Sequence, residues 1–111
     1  MAKQFGIPIV ATIVEAMGVG GRQLAVEAVL SIGEHGSYPI NERGQTEYPR
    51  KRFFDEIVTA MRQSNRYIPV FNDKHLSYSF EKAQRMVLAP KELPFPFLAG
   101  SSLPATFRLL P

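Results

Sequence analysis

Two polar clusters carry the residue types that move protons, bind hydroxyls or hold metals. Gly33-Glu34-His35-Gly36-Ser37-Tyr38 leaves one apolar run, and Asn72-Asp73-Lys74-His75 leaves another. Together they hold both histidines of the chain, two acids and a lysine. A lysine beside a carboxylate suits proton transfer when burial or neighbours tune it. Imidazole and carboxylate from Glu34, His35, Asp73 and His75 also suit zinc or iron. No His-x-x-x-His pair locks two ligands on one helix, so the spacing does not select a metal. A plain reading stands beside each of these. Gly33 and Gly36 let a loop turn, His35 bonds a loop carbonyl, Asp73 caps a turn, and Lys74 is its solvated neighbour. A nucleophilic serine is not supported, because Gly100-Ser101-Ser102 lacks the Gly-x-Ser-x-Gly elbow. Nor does any Gly-x-Gly-x-x-Gly occur; Gly18-Val19-Gly20-Gly21 precedes a strand rather than joining strand to helix.

The elements that must position these clusters follow from apolar runs and helical spacing. Strands are expected at Ile7–Val10, Val26–Ile32, Tyr67–Phe71 and Phe95–Ala99, with Pro at starts or where a ladder is incomplete. A short helix is expected over Ile13–Met17. A second spans Pro49–Ser64, with Phe53, Phe54, Ile57, Val58 and Met61 at helical spacing. A third runs from Ser79 to about Leu88, with Ser77 or Ser79 as N-cap and Pro90 ending it. The helices are expected to pack on the sheet through Phe53, Phe54, Ile57, Phe80 and Val87. Runs that are apolar on both faces, alternating with helices, imply an α/β fold with a three- or four-stranded parallel sheet in three layers. Ligands of such sheets sit beyond the carboxyl ends of the strands, where both clusters fall. The polar stretch 37–48 is long for such a connection and reads either as functional or as a surface excursion.

Composition narrows the class. A chain of 111 residues makes one domain, and 45% hydrophobic content with a net charge of +3 argues against disorder. Without cysteine there are no disulfides and no sulfur-based zinc site. No apolar run reaches the ~20 residues of a membrane span, and no secretory h-region opens the chain, so a cytoplasmic protein is expected. The densest basic cluster, Arg50-Lys51-Arg52, runs straight into Asp55 and Glu56 and reads as a solvated helix face. Neither a nucleic-acid nor a membrane partner is expected.

The second cluster and its surroundings have a family likeness. A strand, then Asn72-Asp73-Lys74-His75-Leu76, then a helix with Ser79-Phe80-Glu81-Lys82-Ala83, resembles the Glu-Lys-Pro segment of the glucose–fructose oxidoreductase/inositol dehydrogenase (Gfo/Idh/MocA) family. Val26–Gly36 resembles the preceding strand and loop, and Phe97-Leu98-Ala99-Gly100 the strand that leads to the second domain. More narrowly, Gly33-Glu34-His35-Gly36, Tyr48-Pro49-Arg50, Pro69–Tyr78 and Ala99–Pro104 look like a poorly characterised bacterial oxidoreductase-like branch. The resemblance implies the later part of a Rossmann-like nucleotide-binding domain, and NAD- or NADP-linked chemistry on a sugar-like or polyol substrate. It puts Lys74 near nicotinamide and substrate, Asp73 where the family has Glu, and His75 where it has Pro. Gly33, Glu34 and His35 would line the dinucleotide groove. By this likeness the chain is a fragment lacking the first βαβ unit and the substrate domain. It is expected to be inactive alone and to bind no dinucleotide alone. Uncovered sheet edge and apolar surface near Ile7–Val10 or Leu103–Leu110 would then promote self-association. Two alternatives remain: a small non-catalytic binding or interaction domain, and a metal-assisted sugar isomerase or lyase using Glu34, His35, Asp73 and His75.

Overall fold

The computed structural model describes residues 2–33 and 36–100. Three short strands, β1 (Val29–Ser31), β2 (Val70–Asp73) and β3 (Phe97–Gly100), form a parallel sheet in the order β1-β2-β3. Its register aligns Val29 with Val70 and Phe97, then Leu30 with Phe71 and Leu98. Because side chains alternate across a strand, the first row faces one side and the second the other. Val70 is buried and joins the core with Val29 and Phe97 packed against it, whereas Leu30 is 63% and Leu98 65% exposed.

Three helices, α1 (Ile13–Gly18), α2 (Arg50–Gln63) and α3 (Phe80–Glu92), supply the other side of that core. Thr12 caps α1 through a capping box with Glu15, and Ser79 Oγ accepts from Lys82 N at the start of α3. From α2 come Phe54, Ile57, Val58, Ala60 and Met61, from α1 Met17, and from α3 Met86. One physical rule accounts for the one-sided cover. Parallel crossovers are right-handed almost without exception, and a sheet that advances in one direction receives its helices on one face. The second face, a trough of about 430 Å³ under Ala28, Leu30, Phe71 and Leu98, carries no helix among the described residues.

The α/β class, the parallel sheet and the three helices are as the sequence predicts. Several details differ. Ile7–Val10 forms no strand, since no described segment pairs with it and Pro8 removes a donor; Ile7, Ile9 and Val10 are exposed. Leu103–Leu110 lies outside the described residues. β1 is shorter than the apolar run that contains it, because pairing starts where Val29 N donates to Pro69 O (2.9 Å). β2 begins late, at Val70, but runs on into polar Asn72 and Asp73. α3 continues through Pro90 to Glu92. Pro90 forfeits one hydrogen bond near the helix end, yet the extra turn carries Ala89 and Leu93 onto the core. Phe80 is 81% exposed and Val87 47% exposed; Met86, completely buried, is the α3 anchor instead. The stretch 37–48 contains a small hairpin, with Ile40 bridged to Thr46 and Asn41 Oδ1 accepting from Arg43 N and Gln45 N. No helix among the described residues is long and apolar enough to cross a membrane.

Candidate functional site

The carboxyl ends of three parallel strands lie along one edge, and β2, between the other two, brings Asp73 and Lys74 to its centre. Asp73 is the last residue of the strand, aligned with Gly100, and Lys74 N still donates to Gly100 O at 2.7 Å. The ladder therefore holds the backbone of the pair from one side. Lys74 then takes φ +62, a left-handed conformation uncommon for a residue with a β-carbon. Such strain costs on the order of 1–3 kcal/mol and persists only where neighbours over-determine it.

The neighbours that do so here are Arg50 and Asn72. Arg50 Nη1 donates to the carbonyl oxygen of Asp73 (3.0 Å), and Asn72 Nδ2 donates to the same oxygen (3.3 Å). Both side chains are buried, Arg50 at 4% exposed and Asn72 at 2%. Two inward donors fix the peptide between Asp73 and Lys74. The turned peptide leaves Lys74 Nζ 2.5 Å from Asp73 Oδ2. That hydrogen bond holds the Asp73 carboxyl below its ordinary value; burial pushes it up, while the charges of Lys74 and Arg50 push it further down. Asp73 is consequently an ionised acceptor at neutral pH. Lys74 keeps a third of its side chain exposed, so its ammonium can reach a ligand while tethered.

Gly33 completes this layer from β1. An added β-carbon there would lie 2.6 Å from Arg50 Nη1 and 2.8 Å from Arg50 Cζ, so the guanidinium packs directly on the Gly33 backbone and any side chain there would have to displace it. On the other side Arg50 Cζ lies 5.7 Å from the centroid of the Tyr48 ring, which meets Tyr38 edge-on at 5.5 Å and His75 at 5.7 Å. His75 is exposed and belongs to this aromatic rim rather than to the Asp73–Lys74 pair.

Asp73, Lys74 and Gly33 thus converge through Arg50, and His75 stands at the margin. Glu34 and His35 lie outside the described residues. Among the described residues no three His, Cys, Asp or Glu side chains gather into a metal-binding group. Sequence reasoning missed Arg50, and it placed Asn72 in the polar cluster without a role. Arg50 is not part of a solvated basic face, as the trio with Lys51 and Arg52 suggests. It precedes Phe54, Ile57 and Met61 on the apolar stripe of α2, and that spacing is the signal that marks it.

No glycine-rich turn carries a strand directly into α2 or α3, so the described residues offer no pyrophosphate cradle. What the edge can do is pair with hydroxyls, one donating to Asp73 and its neighbour accepting from Lys74. No family model, curated protein or solved structure matches the chain.

Proposed function

We propose that the carboxyl edge around Asp73 and Lys74 binds a sugar-like or polyol substrate as one part of an NAD(P)-linked oxidoreductase-like domain. The chain alone does not turn over substrate on this reading. The Asp73–Lys74 ion pair at the end of the middle strand is the observation that carries it. Asp73, held ionised, anchors the ammonium and accepts from one hydroxyl. Lys74 donates to the oxygen of the carbinol beside it and stabilises negative charge that develops there. Arg50 and Asn72 hold the peptide that aims the lysine. Nicotinamide chemistry would be supplied by a cofactor held largely outside these residues, and no step is assigned to it.

Titrating the isotope-labelled chain with myo-inositol or glucose, followed by amide NMR, tests this. Saturable shifts are expected at Gly33, Asp73 and Lys74 with millimolar affinity, about −4 kcal/mol, and lost in Lys74→Met. Shifts that are absent, or unchanged in the variant, overturn the reading. A second reading, a non-catalytic interaction module, is favoured by the bare sheet face with Leu30 and Leu98 exposed.

A further inference from the structure

We propose that two copies of this chain pair by exchanging apolar arms, the segment Ile7–Val10 of each lying in the trough on the bare sheet face of its partner. The trough holds about 430 Å³, and Leu30, Phe71 and Leu98 line it together with Ala28, Pro69 and Pro96. No charged side chain belongs to its lining. Parallel sheets are ordinarily covered on both faces, because their strands are apolar on both. Here the face away from the helices leaves Leu30 and Leu98 to water. A row of aliphatic and aromatic side chains of this kind marks a contact surface.

The arm presents the matching surface. Ile9 is 80% exposed and Ile7 58%, Val10 is exposed as well, and none of the three packs against the core. No charged residue stands between Lys3 and Glu15, so arm and trough are both uncharged in a chain that is 21% charged. Pro8 has no N–H to give a ladder, so the segment is ill suited to extending a sheet edge and joins its partner through side chains. The arm does not lead to the trough of its own copy. It runs into Thr12, whose capping box with Glu15 fixes the start of α1, and Met17 of α1 is buried in the core on the helix side of the sheet. The trough lies on the opposite side. A two-fold exchange is self-complementary and buries each surface twice. Judged from the exposed fractions of Ile7, Ile9, Val10, Leu30 and Leu98 and their neighbours, it removes roughly 1,500 Å² from water, the size of a stable interface. A second copy thus covers the trough and the arm together.

Sedimentation equilibrium of the full chain tests this, with a monomer–dimer dissociation constant of about micromolar expected. Ile9→Lys on the arm and Leu98→Glu on the face should each weaken dimerisation about a hundredfold, since each substitution enters the symmetric dimer twice. Both residues are exposed in the single copy, so circular dichroism of the dilute variants should match wild type. Should Leu98→Glu unfold, Leu30→Glu carries the same charge onto the same row. Mixing the arm variant with the face variant should restore a dimer, because one intact arm then meets one intact trough and the introduced charges meet in the other. A chain that stays monomeric up to about 1 mM overturns the exchange. Dimers lost in Leu98→Glu but unchanged in Ile9→Lys mark two faces packed together and overturn the arm as occupant. A monomer that Ile9→Lys destabilises marks an arm folded onto its own copy, which also overturns it. Lys74→Met should dimerise as wild type does, so this result is separable from the polyol edge.

Discussion

Replacing Arg50 with Met separates what the buried guanidinium does for the fold from what it does for the site. The wild-type side chain is 4% exposed, donates through Nη1 to Asp73 O at 3.0 Å, and leaves Nε without a partner. Losing that charge-assisted bond costs about 1.5–3 kcal/mol. The carbonyl is not orphaned, since Asn72 Nδ2 still reaches it at 3.3 Å. Against the loss stands relief of the unpartnered Nε, about 1–3 kcal/mol, and of the guanidinium's desolvation, typically several kcal/mol. Attraction to the Asp73 carboxylate returns part of the latter. Removing Arg50 is therefore expected to leave unfolding free energy within about 1 kcal/mol of wild type or to raise it by up to ~3 kcal/mol. Urea unfolding at pH 7, followed by circular dichroism, reads this directly. In the same variant the Asp73 carboxyl should titrate closer to 3.8, and the Lys74 amide should shift as its peptide loosens. A loss above about 3 kcal/mol would refute the reasoning, because it would make Arg50 a structural anchor rather than a group that aims Lys74.

Ile57 is 2% exposed on the face of α2 that meets the sheet, so Ile57→Ala should cost about 2–5 kcal/mol in urea unfolding. A loss under 1 kcal/mol would place α2 elsewhere. Asp73 gives a signed pH dependence. Its folded carboxyl sits below the ordinary 3.8, so its contribution is fully present above that value and disappears as pH falls through the lower folded one. Wild type should thus lose stability toward strong acid more steeply than Asp73→Asn, and parallel acid limbs in the two proteins would contradict the ion pair.

The parts of this fold that the sequence announces are those whose signal is local and repeated. α2 shows because Phe54, Ile57, Val58 and Met61 recur at helical spacing, and the three strands show as short apolar runs, although the same signal at Ile7–Val10 forms no strand. Strand ends do not show, because pairing is decided by the partner. Asn72 and Asp73 look like loop residues until β3 is found beside them. Phe80 illustrates the same limit from the other direction. It starts the apolar pattern of α3, yet at the first turn it is exposed, and burial passes to Met86. In the site, Asp73 and Lys74 are legible as a polar pair after a run. Arg50 is hidden, because a charge among two other charges reads as surface while its position on the helix reads as core. When charge type and helical position conflict in that way, position is the stronger guide to burial. Type then says what burial is for: an arginine kept on an apolar stripe, with one nitrogen unpartnered, is poorly explained by stability. It is better explained by the carbonyl it holds and the strained lysine that follows.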